Sequence, residues 1–163
     1  VDYRYERASR RQGASGFGDG SVLIPAMRAP VPNVTIAIDT SGSMGANELA
    51  ACLSECKGIL SATGSSLNVV TCDAVVQDAG RVATPNQITA LLKGGGGTDF
   101  RPVFKHIEKQ PVKPDILVFM TDGYGPAPDV PPPGMLVIWL IVCSYGGHKP
   151  ASWGEYIEVK NVA

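Results

Sequence analysis

Two hydrophobic patterns take turns along the chain. Short, nearly continuous apolar runs rich in β-branched residues occupy 34–39, 67–72, 115–120 and 135–143. Such runs predict strands buried on both faces, as in a parallel sheet. Between them, apolar residues recur at helical spacing. Leu49, Cys52, Leu53, Cys56, Ile59 and Leu60 make one stripe, predicting a helix over 48–62 with Gly64 as its cap. Ile88, Leu91 and Leu92 mark a short helix over 86–93, and another is predicted over 101–109. Weaker strand signals lie at 75–82, read as an edge strand, and at 156–159. Trp139, inside the last long apolar run, is assigned to the core.

Strands alternating with helices predict an α/β fold: a Rossmann-like three-layer sandwich with a mostly parallel central sheet and helices on both faces. In such sheets function gathers at the C-terminal edge of the strands. That rule selects three loops, 39–45, 94–100 and 122–125. The Pro-rich loop 126–134 is expected at the same edge.

Residues 1–33 break the alternation. They read as a basic, Gly/Pro-rich tail or linker, with 34–163 as the domain. Arg4, Arg7, Arg10, Arg11 and Arg28 stand against Asp2, Glu6 and Asp19, and 13–21 is rich in Gly and Ser. Pro25, Pro30 and Pro32 are expected to prevent regular structure before Asn33. At 163 residues the chain fits one domain, since single cores usually run to ~100–200 residues.

Charge narrows the function classes. A net charge of -1 and a pI of about 6.1 argue against a general nucleic-acid or membrane-surface binder. No signal peptide opens the chain, and 135–143 is too short to span a bilayer, which needs ~20 residues. The 4 cysteines form no CxxC pair, and the two histidines, His106 and His148, lie far from them in sequence. A zinc site of the usual spacing is therefore not expected. Cys52 and Cys56 read as core residues, and a reduced, cytoplasmic setting is expected.

The three selected loops carry oxygen donors. Asp39, Ser41 and Ser43 alternate, so an extended turn aims three side chains at one point. Thr98 and Asp99 follow four glycines, and Asp122 follows the 115–120 strand. Two carboxylates and three hydroxyls form an all-oxygen set, which hard divalent cations prefer. Neutral hydroxyls and waters suit Mg²⁺, octahedral at ~2.1 Å, with Mn²⁺ and Ca²⁺ as alternatives. Gly94 to Gly97 lack the Gly-Lys-Ser/Thr of a phosphate-binding loop. Two readings of Asp99 stand: it orients a ligand or bound water, or it caps the helix that begins near Arg101. Asp73 belongs to the periphery of the site or to a turn. Tyr124 is read either as a partner contact or as packing.

Asp39-x-Ser41-x-Ser43, Thr98 in a Gly-rich loop and Thr121-Asp122-Gly123 at a strand end resemble the metal-ion-dependent adhesion site of von Willebrand factor type A (VWA) domains. The resemblance implies metal ligation by Asp39, Ser41, Ser43, Thr98 and Asp122. With Asp2-Tyr3, Arg10-Arg11, Leu23 to Pro25, Thr71 to Asp73, Gly94 to Pro102 and Leu117 to Gly125, it extends to a bacterial VWA-like family. That family commonly follows a zincin-type metallopeptidase domain and occurs beside MoxR-type AAA+ ATPases. The chain opens on Val1 and contains no His-Glu-x-x-His. The resemblance therefore implies the C-terminal domain of a larger bacterial or phage metallopeptidase-like protein, not itself an enzyme. Its Mg²⁺ would bind a carboxylate of a protein partner, an AAA+ ATPase or the upstream peptidase domain. The competing reading is an Mg²⁺-dependent phosphatase with Asp39 as nucleophile, but Ser41 stands where that chemistry wants an acid/base carboxylate.

Overall fold

The computed structural model describes residues 2–8, 25–28, 32–63, 67–92, 95–143 and 146–159. Two compact units divide the chain, Val1–Pro32 and Asn33–Ala163.

In the first unit, β1 (Asp2–Ala8) and β2 (Pro25–Arg28) pair antiparallel, with Tyr3 opposite Met27 and the register broken between Arg4 and Ala8. This corrects the expectation that proline excludes regular structure here. Pro25 is the first residue of its strand, a position where a missing N–H is tolerated. The Gly/Ser-rich stretch 13–21 and Gly64 lie outside the described residues.

The second unit is built on a six-stranded sheet in the order β5-β4-β3-β6-β7-β8. The strands are β3 (Val34–Asp39), β4 (Leu67–Cys72), β5 (Val76–Val82), β6 (Ile116–Thr121), β7 (Leu136–Val142) and β8 (Glu155–Val159). Five run parallel, and β5 lies antiparallel to β4 at one edge. The α/β class and the mostly parallel sheet follow the sequence pattern.

Pleating gives the sheet two apolar faces. Ile36, Ile38, Val69, Met120, Leu140 and Val142 meet α1 (Ala46–Thr63) and α2 (Pro85–Leu91) through Cys52, Cys56 and Ile88. The helical stripe read from Leu49 to Leu60 is this buried face. Ahead of α2, the main-chain N–H groups of Ala83 and Thr84 donate to Gln87 Oε1 at 2.8 and 3.1 Å, satisfying donors that a helix start leaves open.

The opposite face carries Ala37, Val70, Leu117, Phe119, Val137, Trp139 and Ile141. One helix covers it, α3 (Arg101–Glu108), through Val103, Phe104 and Ile107. Among the described residues, no helix joins β6 to β7 or β7 to β8. Ala127, Met135, Ala151 and Trp153 from those connections fill the space instead.

The path from β6 to β7 corrects a second expectation. Pro131, Pro132 and Pro133 lie with Met135, Leu136 and Lys113 at the N-terminal edge of the strands, away from the 122–125 loop. A parallel connection must return to the start of the next strand, and this loop makes that return.

Candidate metal-binding site

Asp39 ends β3 and is fully buried. Its Oδ1 accepts the Ser41 main-chain N–H at 2.9 Å, which folds the chain back beneath the carboxylate. Its Oδ2 accepts the Thr121 hydroxyl at 2.7 Å. Ile38 pairs with Met120, so Asp39 and Thr121 are the next positions along adjacent strands. Ser41 and Ser43 place their hydroxyl oxygens 3.1 Å apart. Ser41 is buried and Ser43 exposed, so this chain of oxygens leads from the core to the surface.

The three loops are tied pairwise. Gly42 N–H donates to Gly96 O at 3.1 Å, joining the first loop to the Gly-rich one. Phe100 N–H donates to Pro126 O at 3.0 Å, and Gly125 runs directly against the Thr98 methyl group. Asp39 and Thr121 close the triangle. Asp122 is 4% exposed and accepts the Tyr124 N–H on Oδ1 at 3.1 Å. Its carbonyl accepts the His148 N–H at 3.0 Å. Tyr124 and His148 stack with ring centroids 5.8 Å apart, and Tyr124 remains 56% exposed.

The structure thus brings Asp39, Ser41, Ser43 and Asp122 to one sheet edge and sets Thr98 beside the third loop. Asp73 and Asp99 have other partners. Asp73 accepts from Gln77 Nε2 at 2.8 Å and Val75 N–H at 3.1 Å. These bonds, Gln77 first, hold its carboxyl below the ordinary range. A Cβ on Gly96 would sit 2.7 Å from Asp73 Oδ2, so any side chain there would have to displace the Asp73 carboxylate. Asp99 accepts the Arg101 main-chain N–H at 3.0 Å and pairs with its guanidinium at 2.7 Å. The same guanidinium lowers the Asp99 carboxyl. The geometry is that of a helix-start residue for α3.

Thr121 is the residue that sequence reasoning missed. Its signal was a hydroxyl at the last position of an apolar strand, facing the same way as Leu117 and Phe119.

Burial pushes the Asp39 carboxyl above its ordinary value; the Ser41 and Thr121 hydrogen bonds oppose the shift, and the Asp122 charge adds to it. A buried carboxylate with a second carboxylate nearby favours a cation. The donors are all oxygen, as a hard divalent ion requires. Among the described residues no cluster of three or more His, Cys, Asp or Glu could hold a metal; this edge offers two carboxylates, with hydroxyls as the other donors.

One prediction follows from the raised Asp39. Its folded value lies above the unfolded 3.8, so the metal-free fold binds more protons than the unfolded chain in that window. The Asp39 contribution to stability is present below pH 3.8 and is lost as pH rises through the folded value. Urea midpoints measured from acid to neutral pH without metal are expected to fall for wild type relative to Asp39→Asn. A constant difference would contradict the raised value.

A mostly parallel sheet with three loops closed around an acidic, hydroxyl-rich C-terminal edge defines a VWA-like α/β domain. Residues 34–160 match the family described as VWA-like domain (DUF2201), and the chain belongs to that family. A Thermotoga maritima protein named "Uncharacterized protein" is 31% identical over 98 residues, which cover 60% of this chain and 24% of that protein. The match therefore spans about a quarter of that relative's length. No solved structure matches the chain. Among the described residues, no helix is long and apolar enough to cross a membrane.

Proposed function

We propose that this edge is an Mg²⁺-dependent protein-interaction site. Asp39, Ser41, Ser43, Thr98 and Asp122 would hold the ion, directly or through waters, and a carboxylate from a partner would complete its shell. A VWA-like fold supports an interaction module in general. The observation that carries the finer reading is the buried Asp39, tied through Ser41 to the exposed Ser43, with Asp122 beside it. Hydroxyl donors leave a bound ion strongly positive, so it would attract an acidic partner. Binding rather than catalysis is favoured because Asp39 is fully buried with both oxygens hydrogen-bonded, a poor geometry for a phosphatase nucleophile. The partner class we propose is an AAA+ ATPase of the MoxR type or a metallopeptidase domain of the same protein.

Calorimetric titration with Mg²⁺, Mn²⁺ and Ca²⁺ tests the site. Wild type is expected to bind saturably, and at Mg²⁺ about 100-fold above Kd to gain about 2.7 kcal/mol of stability. Asp39→Ala and Asp122→Ala are expected to remain folded by circular dichroism and to gain nothing. Absence of saturable binding by wild type would refute the reading.

A further inference from the structure

Two exposed apolar side chains flank the candidate metal edge. Tyr124, in the loop after β6, is 56% exposed, and Val75, in the turn after β4, is 55% exposed. β3 lies between β4 and β6 in the sheet, so the 39–43 loop separates the two. The Val75 turn is tied to this edge. Val75 N–H donates to Asp73 Oδ1 at 3.1 Å, and the Asp73 carbonyl accepts the Asp99 N–H at 3.0 Å. Tyr124 is braced on two sides. Its hydroxyl donates to the Gly146 carbonyl at 3.4 Å, and its ring stacks on His148 with 18° between the planes.

Between these two side chains the edge is nearly bare. Gly42, Gly96 and Gly97 are exposed there, so a second main chain can approach without meeting a Cβ. Among the described residues of 39–45, 95–100 and 122–125, Tyr124 is the only exposed one larger than serine. Adjacent strands lie about 4.8 Å apart, so two strand spacings put about 10 Å between the flanks. Four steps of extended chain cover about 13 Å, and positions i−2, i and i+2 face the same way. A segment laid across the strand ends therefore turns its central side chain toward Asp39 and Asp122 when its outer two reach Val75 and Tyr124.

We propose that this edge docks an extended partner segment of the pattern apolar-x-acidic-x-apolar, with Tyr124 and Val75 as its two apolar contacts. Docking in this form rests on the Mg²⁺-binding reading above, which creates the demand for the acidic residue. An ion alone accepts any carboxylate; the two flanking side chains select among carboxylates by what lies two residues away. Tyr124 is the stronger contact, because a ring already held against His148 loses little freedom on binding and offers a large apolar face. Val75 adds the smaller one.

Fluorescence anisotropy with a labelled Leu-Ser-Asp-Ser-Leu peptide, on the full chain at saturating Mg²⁺, tests this. Saturable binding is expected, with an affinity about tenfold lower for Ser-Leu-Asp-Leu-Ser, which has the same composition but turns its leucines to the opposite face. Tyr124→Ala is expected to lower the affinity about tenfold and Val75→Ala about threefold, while Tyr124→Phe keeps the wild-type value. Ile157→Ser, an exposed change on β8, three strands away from β3, is expected to bind like wild type. No saturable peptide binding, equal binding of both peptides, binding that persists in EDTA, or unchanged affinity in both alanine variants would each overturn the proposal. Calorimetric Mg²⁺ titration of the same samples separates the two readings. Mg²⁺ binding together with any of those outcomes leaves the ion site standing, whereas no Mg²⁺ binding removes both.

Discussion

Replacing Trp139 with alanine is expected to cost about 4 kcal/mol of folding stability. Trp139 is fully buried at the centre of an aromatic cluster. Its ring centroid lies 5.2 Å from Phe119, 5.5 Å from Trp153 and 6.1 Å from both Phe100 and Phe104. Its indole N–H also donates to the Trp153 carbonyl at 3.0 Å. Alanine removes the packing and the donor together, in a layer where one helix and two helix-free connections must fill the space. Trp139→Phe keeps most of the packing and is expected to cost less than half as much. Urea denaturation of both variants checks the ranking; equal losses would shift the weight from packing to the indole N–H.

Gly123→Ala is expected to cost about 3 kcal/mol, although it adds a single methyl group. Gly123 has φ +91°, a conformation that L side chains rarely adopt. A Cβ there would lie 1.7 Å from the His148 carbonyl oxygen. Relief requires moving the 146–150 segment, which breaks the His148 N–H bond to the Asp122 carbonyl. The variant is therefore expected to weaken any Mg²⁺ response as well as the fold. Urea titration gives the first effect and calorimetry the second. A loss under about 1 kcal/mol would show that the segment yields freely.

The central strands were legible because burial on both faces forces unbroken apolar runs: 34–39 and 67–72 in the sequence are β3 and β4 in the structure. The α1 stripe was legible for the analogous helical reason. The edge strand β5 gave a weaker signal, read at 75–82, because its burial alternates. The course of the 122–135 connection was not legible. Proline content says that a segment is stiff, but the edge it reaches depends on the order of strands in the sheet. Residues 2–8 and 25–28 were missed because their pairing joins two short segments across a Gly/Ser-rich stretch, with no local period to read.

At the candidate site, the strand-end rule and local alternation grouped Asp39, Ser41 and Ser43, and Thr98 and Asp122 in the other two loops gave the grouping its weight. The roles of Asp73 and Asp99 stayed open because each depends on one neighbour, Gln77 or Arg101, whose side-chain direction no pattern encodes. Thr121 was hidden in plain view beside Asp122. Its bond to Asp39 spans 82 residues, and only the register of β3 on β6 reveals it.

That span bears on the order of events in folding. Asp39 meets Thr121 only after a chain segment holding β4, β5, α1, α2 and α3 has been gathered between them. Such non-local closure is slow, because loop entropy is lost before the contact is gained. The oxygen cluster thus completes only with the β3–β6 pairing at the sheet centre, which closes that same loop. A ligand that needs the finished cluster cannot template the early steps. It would act mainly by slowing unfolding, so an ion held there would lengthen the lifetime of the native state more than it hastened its formation.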